Sequence, residues 1–496
     1  MATADVRSAL LESGVLGATA RQIATRLGTP TERVSAELAR LRGCGDIRRI
    51  GRGLWVLRDY HDLGFEEDFV RPEEFVERFA REDGVTLGRY SGPITFRSND
   101  RLPIHRWWPY VQGYSAEFVA DLLAAQPLGR GAAVLDPFSG SGTTLVEGRR
   151  NGWRAIGFEL LAPAVLAARV KTDFEVDPAA LRRSATSLIA RAGRARVSPV
   201  PFLRETRRQF APRALAELRR LRSVLPRSAP GVADALRLAF GATLIPSSRL
   251  RRSPCLGYEP RPTERPRPFV RIADVVEQMA GDLEALGASR PRWGPPATVR
   301  EGDARAIDLP EGSIDFAVTS PPYVNGLDYV MNYKLDLAWL GYASSYRDLS
   351  ALRHREVACD NLPRSSTAGY LDPSAAPDPW LRELLPRIRD HVVRKGTYRR
   401  DDMHGIVLRY FADLEAVMRG VYRVLRPGGR FVLVVGDSLL AGTYVPGDLL
   451  TARLGDRLGF AIESVQVARA RRSGQRRHFL LRESIVTLRR PDGGSR

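Results

Sequence analysis

Apolar positions in the first 58 residues recur at helical spacing in three short stretches. Val6, Leu10 and Leu11 share one face over 5–12, as a period of 3.6 residues requires. Thr19 sits where a side-chain oxygen can cap a helix carrying Ile23, Ala24 and Leu27, and Gly28 is placed to end it. Thr31 is placed to cap a longer helix, 32–42, with Val34, Leu38 and Leu41 along one side. Two apolar runs around Gly51-Arg52-Gly53 then predict a hairpin. Residues 59–100 are mixed, with acidic clusters at Glu66-Glu67-Asp68 and Glu73-Glu74, and read as a linker holding one helix.

From residue 101 the pattern becomes strand, helix, strand, helix. An apolar strand at 132–135 ends at Asp136, another at 154–158 ends at Glu159, and SGSGTTLVEGRRNG between them makes a glycine turn and opens a helix. Residues 173–297 break the rhythm. They are rich in arginine and proline, with helical stretches at 212–224 and 272–286, and predict a helical insertion. The strands then resume: 298–300 leads to Asp303, 316–319 to Ser320, and 430–435 to Gly436. Segments 461–467 and 483–488, joined by a basic turn, predict a terminal antiparallel hairpin, and 342–405 reads as an irregular insert. Strands alternating with helices predict an α/β fold, a doubly wound, mostly parallel, Rossmann-like sheet with helices on both faces. Its core would come in two parts, 101–172 and 298–496, after an N-terminal unit of 1–58. No internal repeat is visible.

A chain of 496 residues is too long for one compact core, so roughly two or three domains are expected. No apolar run approaches a membrane span, and the N-terminus lacks a cationic segment followed by an apolar one, so the cytoplasm is the expected location. Cys44, Cys255 and Cys359 lie far apart without CxxC spacing, and the histidines form no metal-spaced cluster, so neither disulfide nor metal is expected. Net charge is +19, and Lys171, Lys334 and Lys395 are the only lysines. Base composition of a coding sequence can explain arginine over lysine, but not the excess over acids. A polyanionic partner explains the excess, because clustered arginines neutralise phosphates and release counterions. Three helices and a basic hairpin give residues 1–58 a resemblance to a winged helix-turn-helix unit. In that resemblance 32–42 is the recognition helix, and Arg48, Arg49 and Arg52 on or near the wing are candidate DNA contacts. Contact with another protein is the alternative use of such a unit.

Two constellations carry chemistry. In 134–144, VLDPFSGSGTT puts a carboxylate at the end of a strand, then a glycine turn, then a helix start. That edge of an open α/β sheet is where ligands bind, and glycines let a ligand approach the backbone. No lysine follows the turn, as a phosphate-gripping loop would require. Glu159 ends the next strand, where an acid accepts hydrogen bonds from ribose hydroxyls. A nucleoside ligand with little or no phosphate suits this set. In 317–323, AVTSPPY ends a buried strand in two prolines, which fix the backbone and remove two amide donors. The Ser320 hydroxyl, rigid carbonyls and the Tyr323 ring suit a planar base that presents an amino group.

DPFSGSGT followed by TSPPY resembles the amino-methylating DNA methyltransferases, which modify cytosine N4 or adenine N6. The resemblance covers most of 101–172 and 298–490, with RWWPYVQGYSAEFVADLL, GDARAID, YVMNYKLDLAWLGY and LRPGGRFVLVVGDS as supporting matches. It implies S-adenosylmethionine as cofactor. Asp136 and Thr143 would hold the methionine amino and carboxylate groups, and Phe138 would pack on the adenosyl part. Gly140 and Gly142 would leave room for it, Glu159 would bind the ribose and Asp303 the adenine edge. Ser320 and the Pro321 carbonyl would accept from the target amine, Pro322 would stiffen the corner, and Tyr323 would stack on the extruded base. Ser before Pro-Pro-Tyr points to cytosine N4 over adenine N6. Carbon-5 chemistry is disfavoured, because no cysteine lies at this loop. Double-stranded DNA with its target base turned out is the implied partner, alongside associated restriction or defence proteins. Here the glycine loop precedes the Pro-Pro loop by about 175 residues, whereas many relatives with such a loop carry the reverse order. The 173–297 stretch is the favoured target-reading segment, with 342–405 as its competitor. An RNA methyltransferase and a DNA-binding regulator with an inactive methyltransferase fold are the rival readings.

Overall fold

A computed structural model describes residues 3–13, 18–44, 46–49, 53–57, 72–111, 113–252, 255–259, 265–287, 292–359, 362–395, 400–440, 442–472 and 480–492. The first unit holds helices Thr3–Ser13, Ala20–Leu27 and Thr31–Gly43, with strands β1 (Ala18–Thr19), β2 (Ile47–Arg49) and β3 (Leu54–Leu57). The strands form an antiparallel sheet in the order β1-β3-β2. Thr19 caps as expected: its hydroxyl accepts from the Gln22 amide at 3.2 Å, while the Gln22 side chain accepts from the Thr19 amide at 2.8 Å. Thr31 does not cap. Pro30 takes that place without a side-chain bond, and its carbonyl accepts from Arg33 and Val34. The proline ring presets the entry backbone one residue earlier than threonine would. Val6, Leu10, Ile23, Val34, Leu38 and Leu41 close a small core among the three helices.

The main sheet contains β4 (Leu87–Arg89), β5 (Ala133–Asp136), β6 (Arg154–Glu159), β9 (Thr298–Glu301), β10 (Ile314–Thr319), β11 (Leu425–Gly436), β14 (Ala461–Arg472) and β15 (Leu480–Arg489). Two separate hairpins supply β7 (Leu250–Arg252) with β8 (Leu256–Tyr258), and β12 (Ser438–Leu440) with β13 (Thr443–Val445). The eight strands run in the order β4-β14-β15-β11-β10-β5-β6-β9. Strands β11, β10, β5, β6 and β9 are mutually parallel, and β15 runs antiparallel between β11 and β14. This is the expected doubly wound α/β fold with its terminal antiparallel hairpin. Alternate residues of β11 feed opposite faces: Phe431, Leu433 and Val435 enter one core, Val432 and Val434 the other, as the two-residue strand period dictates. From β5 the chain winds outward through β6 to β9, then returns to β10 and winds the other way. The switch point therefore lies between β5 and β10, and there a crevice opens at the strands' carboxyl ends.

Three expectations need correction or extension. Residues 72–100 are no linker: helix Pro72–Asp83 buries Phe75 and Phe79 in the main core, and β4 pairs with β14. Phe75 lies 5.5 Å from the Trp380 ring, whose indole N–H donates to Glu82 at 2.9 Å. Nor is 342–405 irregular, since it forms helices Tyr346–Arg355 and Pro379–Lys395. The second buries Trp380, Leu381, Leu384, Leu385 and Ile388. Pro386 inside that helix and the flanking prolines masked its period. The 173–297 stretch is helical as expected, but it is not peripheral. Its helices Pro178–Arg194, Pro212–Val224, Val232–Leu244 and Pro268–Ala285 share one core with Trp107, Trp108 and Trp339.

Candidate active site

The carboxyl end of β5 turns sharply because Gly140 and Gly142 adopt φ of +50° and +89°, a region costly for residues with a Cβ. A Cβ on Gly140 would come within 2.9 Å of the Tyr110 ring. One on Gly142 would lie 3.0 Å from the Ala168 Cα, so the space at Gly142 admits the helix Ala162–Thr172 rather than a ligand. The Ser139 amide and hydroxyl both donate to the Phe158 carbonyl, tying the loop to β6.

Asp136, buried at this corner, is held from four sides. The Tyr114 and Thr144 hydroxyls donate to Oδ2 at 2.6 Å each, and the Thr319 hydroxyl and Phe138 amide to Oδ1 at 2.7 and 3.1 Å. Burial pushes its pKa up, and the hydroxyl bonds pull against it. A carboxylate has about four lone-pair sites, and the protein fills them all. Asp136 thereby locks the end of β5 to the end of β10, which its register already places alongside.

Glu159 ends β6 and accepts the Gly140 amide on Oε2 at 3.0 Å and the Leu161 amide on Oε1 at 2.8 Å. One lone pair on each oxygen stays open, which matches two vicinal hydroxyls. Burial raises its pKa from 4.5 to about 7 against the pull of those amides. The unfolded carboxyl loses its proton near 4.5 and the folded one near 7. Between those values the folded state binds more protons, so stability falls as pH rises and levels off above about 7. The expected loss from Glu159 is about 3 kcal/mol. Urea unfolding at about pH 5 and about pH 8 should show it in the native protein and not in Glu159→Gln. An equal pH dependence in both proteins would contradict the assignment.

Asp303 follows β9 and is gripped by Arg305, with Nε to Oδ1 at 2.9 Å and Nη2 to Oδ2 at 2.6 Å. Burial opposes ionisation there, but the Arg305 bonds and charge outweigh it and hold Asp303 below its usual range. At the end of β10, Tyr323 donates to Glu483 Oε1 at 2.8 Å, and Glu483 also pairs with Arg469. Burial, then the Glu483 carboxylate, pushes the Tyr323 phenol up. Gly436 leaves room for this ring, since a Cβ there would sit 2.9 Å from it.

Two clefts meet at this edge. One is lined by Asp136, Phe138, Gly140, Thr143, Glu159, Asp303, Ser320 and Pro322. The other is lined by Ser320, Pro321 and Tyr323, with Arg252, Arg469, Arg471 and Glu483. Ser320, Tyr110, Gly113, Tyr114 and Tyr329 line both. Of the residues expected from sequence, only Gly142 in the two motifs borders neither cleft. On the N-terminal unit, exposed Arg49 lies 5.9 Å from the Trp55 ring centre. Arg48 pairs through its backbone with Val56, and its side chain and Arg52 fall outside the described residues. Sequence reasoning missed Tyr114, Thr144, Thr319, Glu356 and Glu483. The two threonines lie within the motifs, Thr319 at the end of β10 and Thr144 in the first turn of helix Thr143–Arg150, whereas no local pattern marks the two glutamates.

No family model matches the chain. It is similar along most of its length to type II methyltransferase M.BsoBI of Geobacillus stearothermophilus, 24% identical over 485 residues spanning 86% of this chain and 92% of the relative. Type II methyltransferase M.AvaI of Anabaena variabilis is 23% identical over 442 residues, 80% of this chain and 89% of the relative. Among solved structures, geranyl diphosphate C-methyltransferase of Streptomyces coelicolor A3(2) aligns over 85% of this chain and 99% of its own. Its identity is 9% and its TM-score 0.28, too loose to add to the strand order.

Proposed function

We propose that this chain is an S-adenosylmethionine-dependent DNA methyltransferase that methylates an exocyclic amino group, cytosine N4, on a base turned out of the duplex. One observation carries the reading: Ser320 lies on the wall common to the cleft that holds Asp136, Glu159 and Asp303 and a second cleft bordered by Arg252, Arg469 and Arg471. The type II methyltransferase relatives point the same way.

The first cleft fits the cofactor. Glu159 offers two open acceptor positions for ribose hydroxyls, Phe138 an aromatic face, Asp303 an acceptor for the adenine amine, and Thr143 a hydroxyl at a helix start. The cofactor, when bound, supplies an electrophilic methyl on sulfur. The protein's part is to make a poor nucleophile competent, because an aromatic amine has its lone pair delocalised into the ring. Ser320 and the Pro321 carbonyl accept hydrogen bonds from its two N–H groups and favour a pyramidal nitrogen aimed across the shared wall. Positive charge grows on that nitrogen during transfer, so these oriented dipoles stabilise the transition state more than the ground state. Tyr323 stacks on the base and offsets part of the few kcal/mol that unstacking costs.

The 173–297 stretch is the favoured target reader. Its β7–β8 hairpin carries Arg252 into the base-side cleft, and Arg208 lies 4.9 Å from the ring centre of exposed Tyr258 on the same hairpin. The N-terminal unit, with the element order of a winged helix, adds a second contact to duplex DNA through Arg48, Arg49 and Arg52. Incubation with methyl-labelled S-adenosylmethionine and either duplex DNA or RNA, then digestion to nucleosides, tests the reading. N4-methylcytosine from DNA is expected. Finding N6-methyladenine alone would overturn the base assignment, and label confined to RNA would overturn the substrate.

A further inference from the structure

The proposed cofactor carries a sulfonium and a methionine ammonium beside its own carboxylate, and an acid on the cleft wall would stabilise that net positive charge where water is excluded. Asp136, the acid expected from the motif, is already saturated by Tyr114, Thr144, Thr319 and Phe138. Glu159 is assigned to the ribose hydroxyls, and Asp303, gripped by Arg305, to the adenine amine. A fourth acid borders the same cleft. Glu356 follows helix Tyr346–Arg355, is only 7% exposed, and lines the cleft together with Ser320 and Tyr329. Its Oε1 accepts the Val330 amide at 2.9 Å, while Oε2 is buried with no hydrogen-bond donor among the described residues.

An orphaned carboxylate oxygen in a cleft wall is costly, and it persists where a ligand completes it. The nearby guanidinium of Arg353 pairs with Asp328, with Nε to Oδ2 at 2.7 Å, and its charge offsets only part of the burial at Glu356. Burial, then the neighbouring Asp328 carboxylate, pushes Glu356 well above the usual carboxylate range. A cation delivered to the cleft would draw it back to the ionised form.

We infer that Glu356 is the carboxylate that receives the positive charge of the cofactor. This rests on the cofactor assignment proposed above. Glu356→Gln isolates the role, because glutamine keeps an acceptor for the Val330 amide and removes a buried charge rather than creating one. Calorimetric titration of both proteins with three ligands decides it. S-adenosylmethionine carries ammonium and sulfonium, S-adenosylhomocysteine the ammonium alone, and 5′-methylthioadenosine neither. The variant should bind S-adenosylmethionine about 10- to 100-fold more weakly, as expected for losing a charge-assisted contact. It should bind 5′-methylthioadenosine as the native protein does, which also shows that the site is folded. Equal weakening for S-adenosylhomocysteine supports the ammonium as the partner, and weakening confined to S-adenosylmethionine supports the sulfonium. Equal losses for all three ligands, or no loss for any, overturn the inference. A native protein that binds no S-adenosylmethionine overturns the cofactor assignment and the inference with it, whereas native binding beside an unchanged variant overturns the inference alone.

Discussion

Ser320→Ala is expected to lower the rate of methyl transfer by about 100- to 1,000-fold, the usual cost of removing one oriented dipole from a transition state. Cofactor affinity should change little, because no cofactor contact is assigned to the Ser320 hydroxyl. Single-turnover rates on duplex DNA, paired with calorimetric titration of the cofactor, separate the two effects. Tyr323→Ala should also slow transfer, through lost stacking of about 1–3 kcal/mol. Tyr323→Phe should retain most activity, since the ring remains and Glu483 keeps Arg469. Full activity in both alanine variants would contradict the roles given to the corner. Strong loss in Tyr323→Phe would move the weight from the ring to its bond with Glu483.

Arg252→Met is expected to destabilise the protein by about 3–5 kcal/mol, the cost of leaving one partner of a buried ion pair alone. Arg252 pairs with Asp336, which is fully buried, and lies 4.1 Å from the Tyr333 ring centre. Burial pushes Asp336 up and Arg252 pulls it back, so loss of the arginine strands a desolvated acid. The same change frees the β7–β8 hairpin from the base-side cleft, so affinity for duplex DNA should fall as well. A double variant, Arg252→Met with Asp336→Leu, removes both charges and should recover most of the stability, because matched apolar replacement of a buried pair is often neutral. Urea midpoints of the three proteins provide the test. A single variant as stable as the native protein would show that the pair does not anchor the insertion.

Much of the fold was legible in local sequence because its signals are local. Short apolar runs marked β10 and β11, glycines at 140 and 142 marked the turn, and Thr19 marked a helix start. The helix Pro379–Lys395 was illegible because Pro386 interrupts its composition, although tertiary packing around Trp380 enforces it. In sequence, helix Pro72–Asp83 reads as part of a linker with acidic clusters, yet its Phe75 and Phe79 pack against Trp380 from far along the chain.

The two motifs pointed to many of the residues that line the candidate site, because each is a strand end followed by a turn, a signal carried by local spacing. Only the tertiary structure decided how those residues divide the work. Thr319 reaches Asp136 across 183 positions, and Tyr323 reaches Glu483 across 160. The parallel register of β5 and β10, with the antiparallel placement of β15, brings such partners together. Strand order is a property of the whole sheet, and no local spacing encodes which acid is left with an unfilled oxygen.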